Sequence, residues 1–336
     1  MTALAALDAV SAQADLPYKI DTHHHFVPES YQAALDAAGG DPVGFPTPPW
    51  TPQSSLENMA ANGIRKAILS VTAPGVPIVP DIEGGRVLAR EINEYSAQLR
   101  EEYPGSFGFF ASLPSLLDIE GTLAEIEHAL DVLHADGITL FTRYGDGTHY
   151  LGHEAFEPIW SALDTRHAVA FIHPTHQVNA TPISPKILQP LIDYPHETTR
   201  AAVDMIASNT TRRFPNVKCI LSHAGGSLPY LISRISTSSD ESEILLGGKT
   251  GAEIREDFRT FSFDLALSSD PAVLDMLLQL VPHERIVYGS DFPYARPTLV
   301  TGFNQNLDAY DFGQPELREM VYHANAERLL ASGGKA

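Results

Sequence analysis

The sequence predicts an α/β fold, a (β/α)8 barrel with long lid loops after its first and fifth strands. Three observations carry this. Short apolar runs alternate with longer stretches of helical spacing along the chain. Several of the runs are apolar throughout, as strands buried on both faces of a parallel sheet must be. Eight such strands joined by helical crossovers close into a barrel, with a doubly wound open sheet as the alternative.

In chain order, residues 1–15 read as an N-terminal arm and 16–336 as one domain. Strands are expected over 18–21, 66–72, 107–113, 138–142, 168–173, 218–223, 261–265 and 286–289. Helical spacing covers 85–103, 119–134, 154–166, 197–214, 271–280 and 315–330. Two connections break the rhythm: 26–55, rich in Pro and Gly, and 174–195, which holds five prolines. Both follow C-terminal strand ends, where barrel enzymes place their chemistry, and proline-stiffened loops of that length read as lids.

Composition narrows the partners. With 22 basic and 42 acidic residues the formal net charge is −20, and no block of Lys or Arg stands out, so nucleic acid and anionic membranes are poor partners. The one cysteine, Cys219, lies in the apolar run KCILS and reads as a small core residue. The start MTALAALDAVSAQAD has neither the basic opening nor the apolar core of a signal peptide. No run approaches the length of a membrane helix. A cytoplasmic protein is expected.

The chemistry concentrates at strand ends. The first strand runs into Asp21-Thr-His-His-His25. Alternate side chains of a strand point the same way, so His23 and His25 converge while His24 turns elsewhere. The fifth strand ends in His173, the sixth in His223, and the eighth in the SDFP that contains Asp291. In a closed barrel these ends ring one opening. Three protein ligands and an open position suit a catalytic divalent metal, and His23, His25, His173 and Asp291 can supply them, with His223 as the spare base. Asp291 can also carry a proton to and from a substrate.

This ordered set resembles the amidohydrolase superfamily. Within it, the chain looks like the decarboxylase branch that includes aminocarboxymuconate semialdehyde decarboxylase and γ-resorcylate decarboxylase. FGFFASLP, LHADGITLFTRY, YLGHEAF, IDYPHETTR and ILSHAGGSLP are most similar to fungal 6-methylsalicylate decarboxylases. The resemblance implies one divalent metal, zinc or alternatively manganese, on His23, His25, His173 and Asp291, with His223 beside it. It also implies that Arg234, eleven residues after His223, reaches into a neighbouring subunit to hold the substrate carboxylate. A homodimer follows, and a further pairing into a tetramer is open. No lysine is available on the fourth strand, 138–143, to be carbamylated, which argues for one metal rather than two, and the absence of Arg from 26–55 argues against a larger dicarboxylate substrate.

The expected reaction is therefore nonoxidative decarboxylation of a hydroxybenzoate, 6-methylsalicylate first, giving 3-methylphenol and carbon dioxide without an organic cofactor. A metal-dependent hydrolase of an aromatic lactone or ester is the alternative, and a non-catalytic binder of aromatic acids a third reading. Phe292 and Tyr294, beside Asp291, and Trp50 are candidate walls for a flat ring. Arg143 either faces the substrate or makes a salt bridge. Glu197 either caps a helix or orients a ligand histidine. His149, His153 and His176 read as loop histidines near the mouth, and Asp264 as a structural acceptor.

Overall fold

A computed structural model describes residues 17–331 except 146, 179, 180, 182, 242 and 243; the arm read over 1–15 lies outside them. Eight strands form one parallel sheet: β1 (Lys19–His25), β2 (Ile64–Ser70), β3 (Phe107–Ala111), β4 (Gly137–Phe141), β5 (Val169–His173), β6 (Lys218–Leu221), β7 (Ser262–Asp264) and β8 (Ile286–Val287). They pair in chain order from β1 to β8. The sheet closes through the irregular stretch after β8. Thr22 N donates to Tyr288 O at 3.0 Å, Asp291 N to His23 O at 2.8 Å, and His25 N to Phe292 O at 2.6 Å. The expected barrel is found.

Side-chain parity along β1 decides what faces inward. Ile20 belongs with Ile68, Phe110, Val169, Phe171, Ile220 and Val287 in the apolar filling of the barrel. Strict alternation from Ile20 would turn His24 inward and His23 and His25 outward. The β1–β2 register shifts between Asp21 and His24, and that irregularity reverses the parity. His24 thus leaves the interior, bonding Asp21 Oδ2 through Nδ1 and Ser55 Oγ through Nε2, both at 2.9 Å.

The expected helices are present with altered bounds. Ile82–Glu102 and Pro271–Leu280 match closely. The stretch 197–214 is Asp193–Ala207 followed by the short Thr210–Arg213, broken where Asn209 takes a left-handed φ of 61°. The lid loop expected over 26–55 is a correction: helix Glu29–Ala37 and the start of Pro52–Asn62 lie within it. The second is closed by a Thr51 capping box with Pro52 in its first turn, a sequence signal that was present. Helices Gly251–Phe258 and Pro297–Ala309 also lacked a sequence expectation. Among its described residues, the connection after β5 carries only a short turn over Gln189–Leu191 before helix Asp193–Ala207.

The loop after β6 is built on tight backbone. Gly226 has φ 64°, and a Cβ there would run into the backbone of Pro195, which opens the neighbouring helix. Backbone cannot move aside as a flexible side chain does. Gly226→Ala is expected to lower the thermal midpoint by several degrees, about 2 kcal/mol of strain and collision. Calorimetric scans of both proteins check this.

Candidate active site

At the C-terminal mouth of the barrel, ligand atoms of His23, His25, His173 and Asp291 lie within 4.8 Å of one another, all buried. His23 Nε2 is 3.1 Å from His25 Nε2, and Asp291 Oδ1 is 3.4 and 3.2 Å from those two nitrogens. Phe171 forms the floor, its ring centroid 4.9 Å from that of His23.

Each imidazole is aimed by an oxygen behind it. His23 Nδ1 donates to Asp264 Oδ2 at 2.9 Å, His25 Nδ1 to Ser70 O at 3.0 Å, and His173 Nδ1 to Pro174 O at 2.7 Å. With Nδ1–H used, Nε2 of each ring keeps its lone pair for the centre, as a metal ligand requires. Three imidazoles and one carboxylate, with no Lys or Arg among them, fit a single divalent metal once each Nε2 is free of its proton.

The electrostatics agree. Burial, then the neighbouring imidazoles, hold His173 well below the usual histidine range. Burial also lowers His25. For His23 burial is outweighed by the carboxylates of Asp264 and Asp291, which push it up to about 10. Burial would raise Asp291, but the imidazoles of His223, His23 and His25 that face it outweigh burial and hold the carboxyl well below its ordinary value. In the described chain, then, Asp291 is a carboxylate facing imidazoles, and metal binding at His23 must displace a proton.

His223 stands at the rim, Nε2 3.9 Å from Asp291 Oδ2, while its buried Nδ1 has no hydrogen-bond partner. Two left-handed residues put these groups in place, His223 at φ 55° and Asp291 at φ 61°. Such backbone is costly and is held by its surroundings. Asp264 supplies part of that hold, since its Oδ1 accepts from His223 N at 3.1 Å and from Ala266 N at 2.9 Å.

The other candidates separate. Tyr294 lies by the site, its ring 5.6 Å from His25 and 5.9 Å from Phe45. Phe292 does not: it packs on His24 at 5.1 Å and in a cluster with Ala295 and Val300. Trp50 is likewise a packing residue, donating to Ser55 Oγ and stacking edge-on against Phe26. Arg143 is taken up by Glu197 at 3.5 Å and by the His176 carbonyl. Glu197 pairs with Arg143 and accepts from Tyr150, so it neither caps its helix nor touches a ligand histidine. His149 and His153 stack on each other near a two-residue ladder that pairs Arg143 and Tyr144 with His149 and Tyr150. Arg234 is exposed on helix Leu228–Asp240, outside its own chain's cluster. The sequence reading missed Tyr194, whose ring stands 6.0 Å from His173; only a helix boundary at Asp193 would have drawn attention to it.

A barrel with a three-histidine, one-aspartate metal centre at its C-terminal mouth defines the class. The chain belongs to the amidohydrolase family, whose model matches residues 20–331. Within that family it is 47% identical over 302 residues to the 6-methylsalicylic acid decarboxylase of Penicillium expansum, spanning 90% of this chain and 93% of that protein. It is also 47% identical to the 6-methylsalicylic acid decarboxylase of Aspergillus aculeatus, over 86% of this chain and 88% of that one. A crystal structure of an amidohydrolase II superposes with a TM-score of 0.85 at 30% identity, covering 93% of this chain and 99% of its own.

Replacing the carboxylate behind His23 tests this arrangement. Asp264→Asn keeps the shape but removes the charge, and is expected to weaken metal binding about 10- to 100-fold. Competition against a chromogenic chelator measures it.

Proposed function

We propose that this protein is a metal-dependent carboxy-lyase that converts 6-methylsalicylate to 3-methylphenol and carbon dioxide. The observation that carries the reading is the buried His23, His25, His173 and Asp291 centre in a chain 47% identical, over nine-tenths of its length, to a decarboxylase of that acid. Zinc suits three imidazoles best, with manganese the alternative that a carboxylate ligand also serves.

Held by His23, His25, His173 and Asp291, a divalent metal would supply Lewis acidity toward an anionic aromatic acid. The rest falls to the chain. The ring carbon bearing the carboxylate must gain a proton as the carbon–carbon bond breaks; the bonding pair returns to the ring and carbon dioxide leaves. Asp291 is the group placed to pass that proton. Because it rests as a carboxylate, the proton must first reach it, and His223 is the titratable neighbour across 3.9 Å. Tyr294 borders the ring site through His25.

The second subunit enters through Arg234. On the helix that carries it, Arg234 follows the exposed Tyr230 by one turn, so both lie on one outward face. Ile244 and Leu245 nearby are exposed as well. Exposed apolar side chains beside an exposed guanidinium support a homodimer in which Arg234 holds the partner's substrate carboxylate.

Two experiments test these assignments. Metal-loaded protein is expected to release carbon dioxide from 6-methylsalicylate, to stop when chelated, and to lose about 10²- to 10⁴-fold in Asp291→Asn. Formation of an acid from an aromatic lactone, without carbon dioxide, would instead favour the hydrolase. For the dimer, Arg234→Ala and Asp291→Asn are each expected to be nearly inactive. Mixing the two under exchange should regain activity, because one site of each mixed dimer then has both residues intact.

A further inference from the structure

Two segments border the metal centre from different sides. One follows β1. There Asp41 Oδ1 accepts from Val43 N at 2.9 Å and from Phe45 N at 3.3 Å, a local turn that sets Phe45. Phe45 packs on Tyr294, and Tyr294 on His25. The other segment follows β5. There Tyr194 leans its ring on His173, and its hydroxyl meets His176 Nδ1 at 3.4 Å.

One contact ties these segments together: His176 Nε2 meets Asp41 Oδ2 at 3.2 Å. It is the one carboxylate–imidazole contact between the two segments among the described residues. Both partners are almost fully buried, each side chain about 10% exposed. A neutral imidazole completes the chain, accepting from Tyr194 at Nδ1 and donating to Asp41 at Nε2. Burial, the largest influence, and the nearby Arg143 favour that neutral form against the pull of Asp41. Arg143 also donates to the backbone carbonyl of His176, fixing it from the β4 side.

We propose that Asp41 and His176 are positioning residues for substrate binding, a clasp that joins the β1 and β5 segments and holds Phe45–Tyr294 and Tyr194 as two walls of a slot for one aromatic ring. The clasp has an electrostatic duty too. Asp41 lies close to a site that takes an anionic acid; burial first, and then Asp41, push the hydroxyls of Tyr194 and Tyr294 up. Its two oxygens are engaged by two amides and one imidazole, which reduces the field an incoming carboxylate meets. Removing His176 leaves that charge bare at the mouth.

This inference rests on the proposed decarboxylation for its kinetic arm, so the experiment has a second arm that does not. In metal-loaded full-length protein, His176→Ala is expected to speed amide hydrogen exchange across residues 38–50, a segment that His176 reaches through Asp41. The same variant should raise KM for 6-methylsalicylate about tenfold while kcat stays within about twofold, the pattern of lost uniform binding. His176→Gln, which still offers a donor to Asp41, should recover much of both. The Asp41→Ala/His176→Ala double variant should be no worse than His176→Ala, since it also removes the bare charge. Unchanged exchange over 38–50 in His176→Ala, or a double variant with a clearly higher KM than His176→Ala, would overturn the clasp. Were the wild type to turn over no 6-methylsalicylate, the exchange arm would still decide the clasp, and that failure would fall on the proposed reaction alone.

Discussion

The seam between β1 and the stretch after β8 is the constraint on which the site depends. A parallel barrel has to close somewhere, and here it closes where two of the three ligand-bearing strand ends meet. Asp21 stitches the seam from beneath: its Oδ1 accepts from His23 N at 3.1 Å and from Ser290 N at 3.0 Å, and its Oδ2 takes His24. Gly289 allows the approach, since a Cβ there would sit 2.8 Å from the Cβ of His23. Once the seam is closed, Asp291 has little choice but to face His23 and His25. Its left-handed backbone is the local cost of turning a carboxylate inward at that point.

From the seam outward, each further layer fixes the one before it. Oxygens of Asp264, Ser70 and Pro174 choose the tautomers of the three imidazoles. Asp264 alone serves two groups, a ligand histidine on one oxygen and the backbone of His223 on the other. Rigid placement matters because a proton passed to a ring carbon demands short, well-aimed contacts, and loosely held groups lose that advantage. The outermost layer, Asp41 with His176, extends the same logic to segments that the barrel by itself leaves unrestrained.

Much of this was legible in the residues. Eight apolar runs marked the strands, and the metal-competent residue closing several of them marked the mouth, because strand ends of a closed barrel have nowhere else to meet. His23, His25, His173, His223 and Asp291 are found together as that reasoning required. The errors have physical causes. Phe292 was read as a ring wall because it adjoins Asp291, yet successive side chains of extended chain diverge, and it packs on His24 instead. Helix Glu29–Ala37 was hidden because the prolines and glycines around it dominated the composition of the connection. Arg143 and Glu197 were each left with two roles, and only their distance of 3.5 Å joins them.

The sequence by itself determined the fold class and the donor set, since both depend on periodicity and on residue type at strand ends, which are local properties of the chain. The tertiary structure decided the rest. That His23 and His25 face inward on a strand whose Ile20 does too depends on a register shift against β2, a relation between strands. Which carboxylate orients and which one ligates depends on where β7 and the β8 seam fall around the ring. The meeting of Asp41 with His176, 135 residues apart, depends on two segments that touch only after the barrel beneath them has closed.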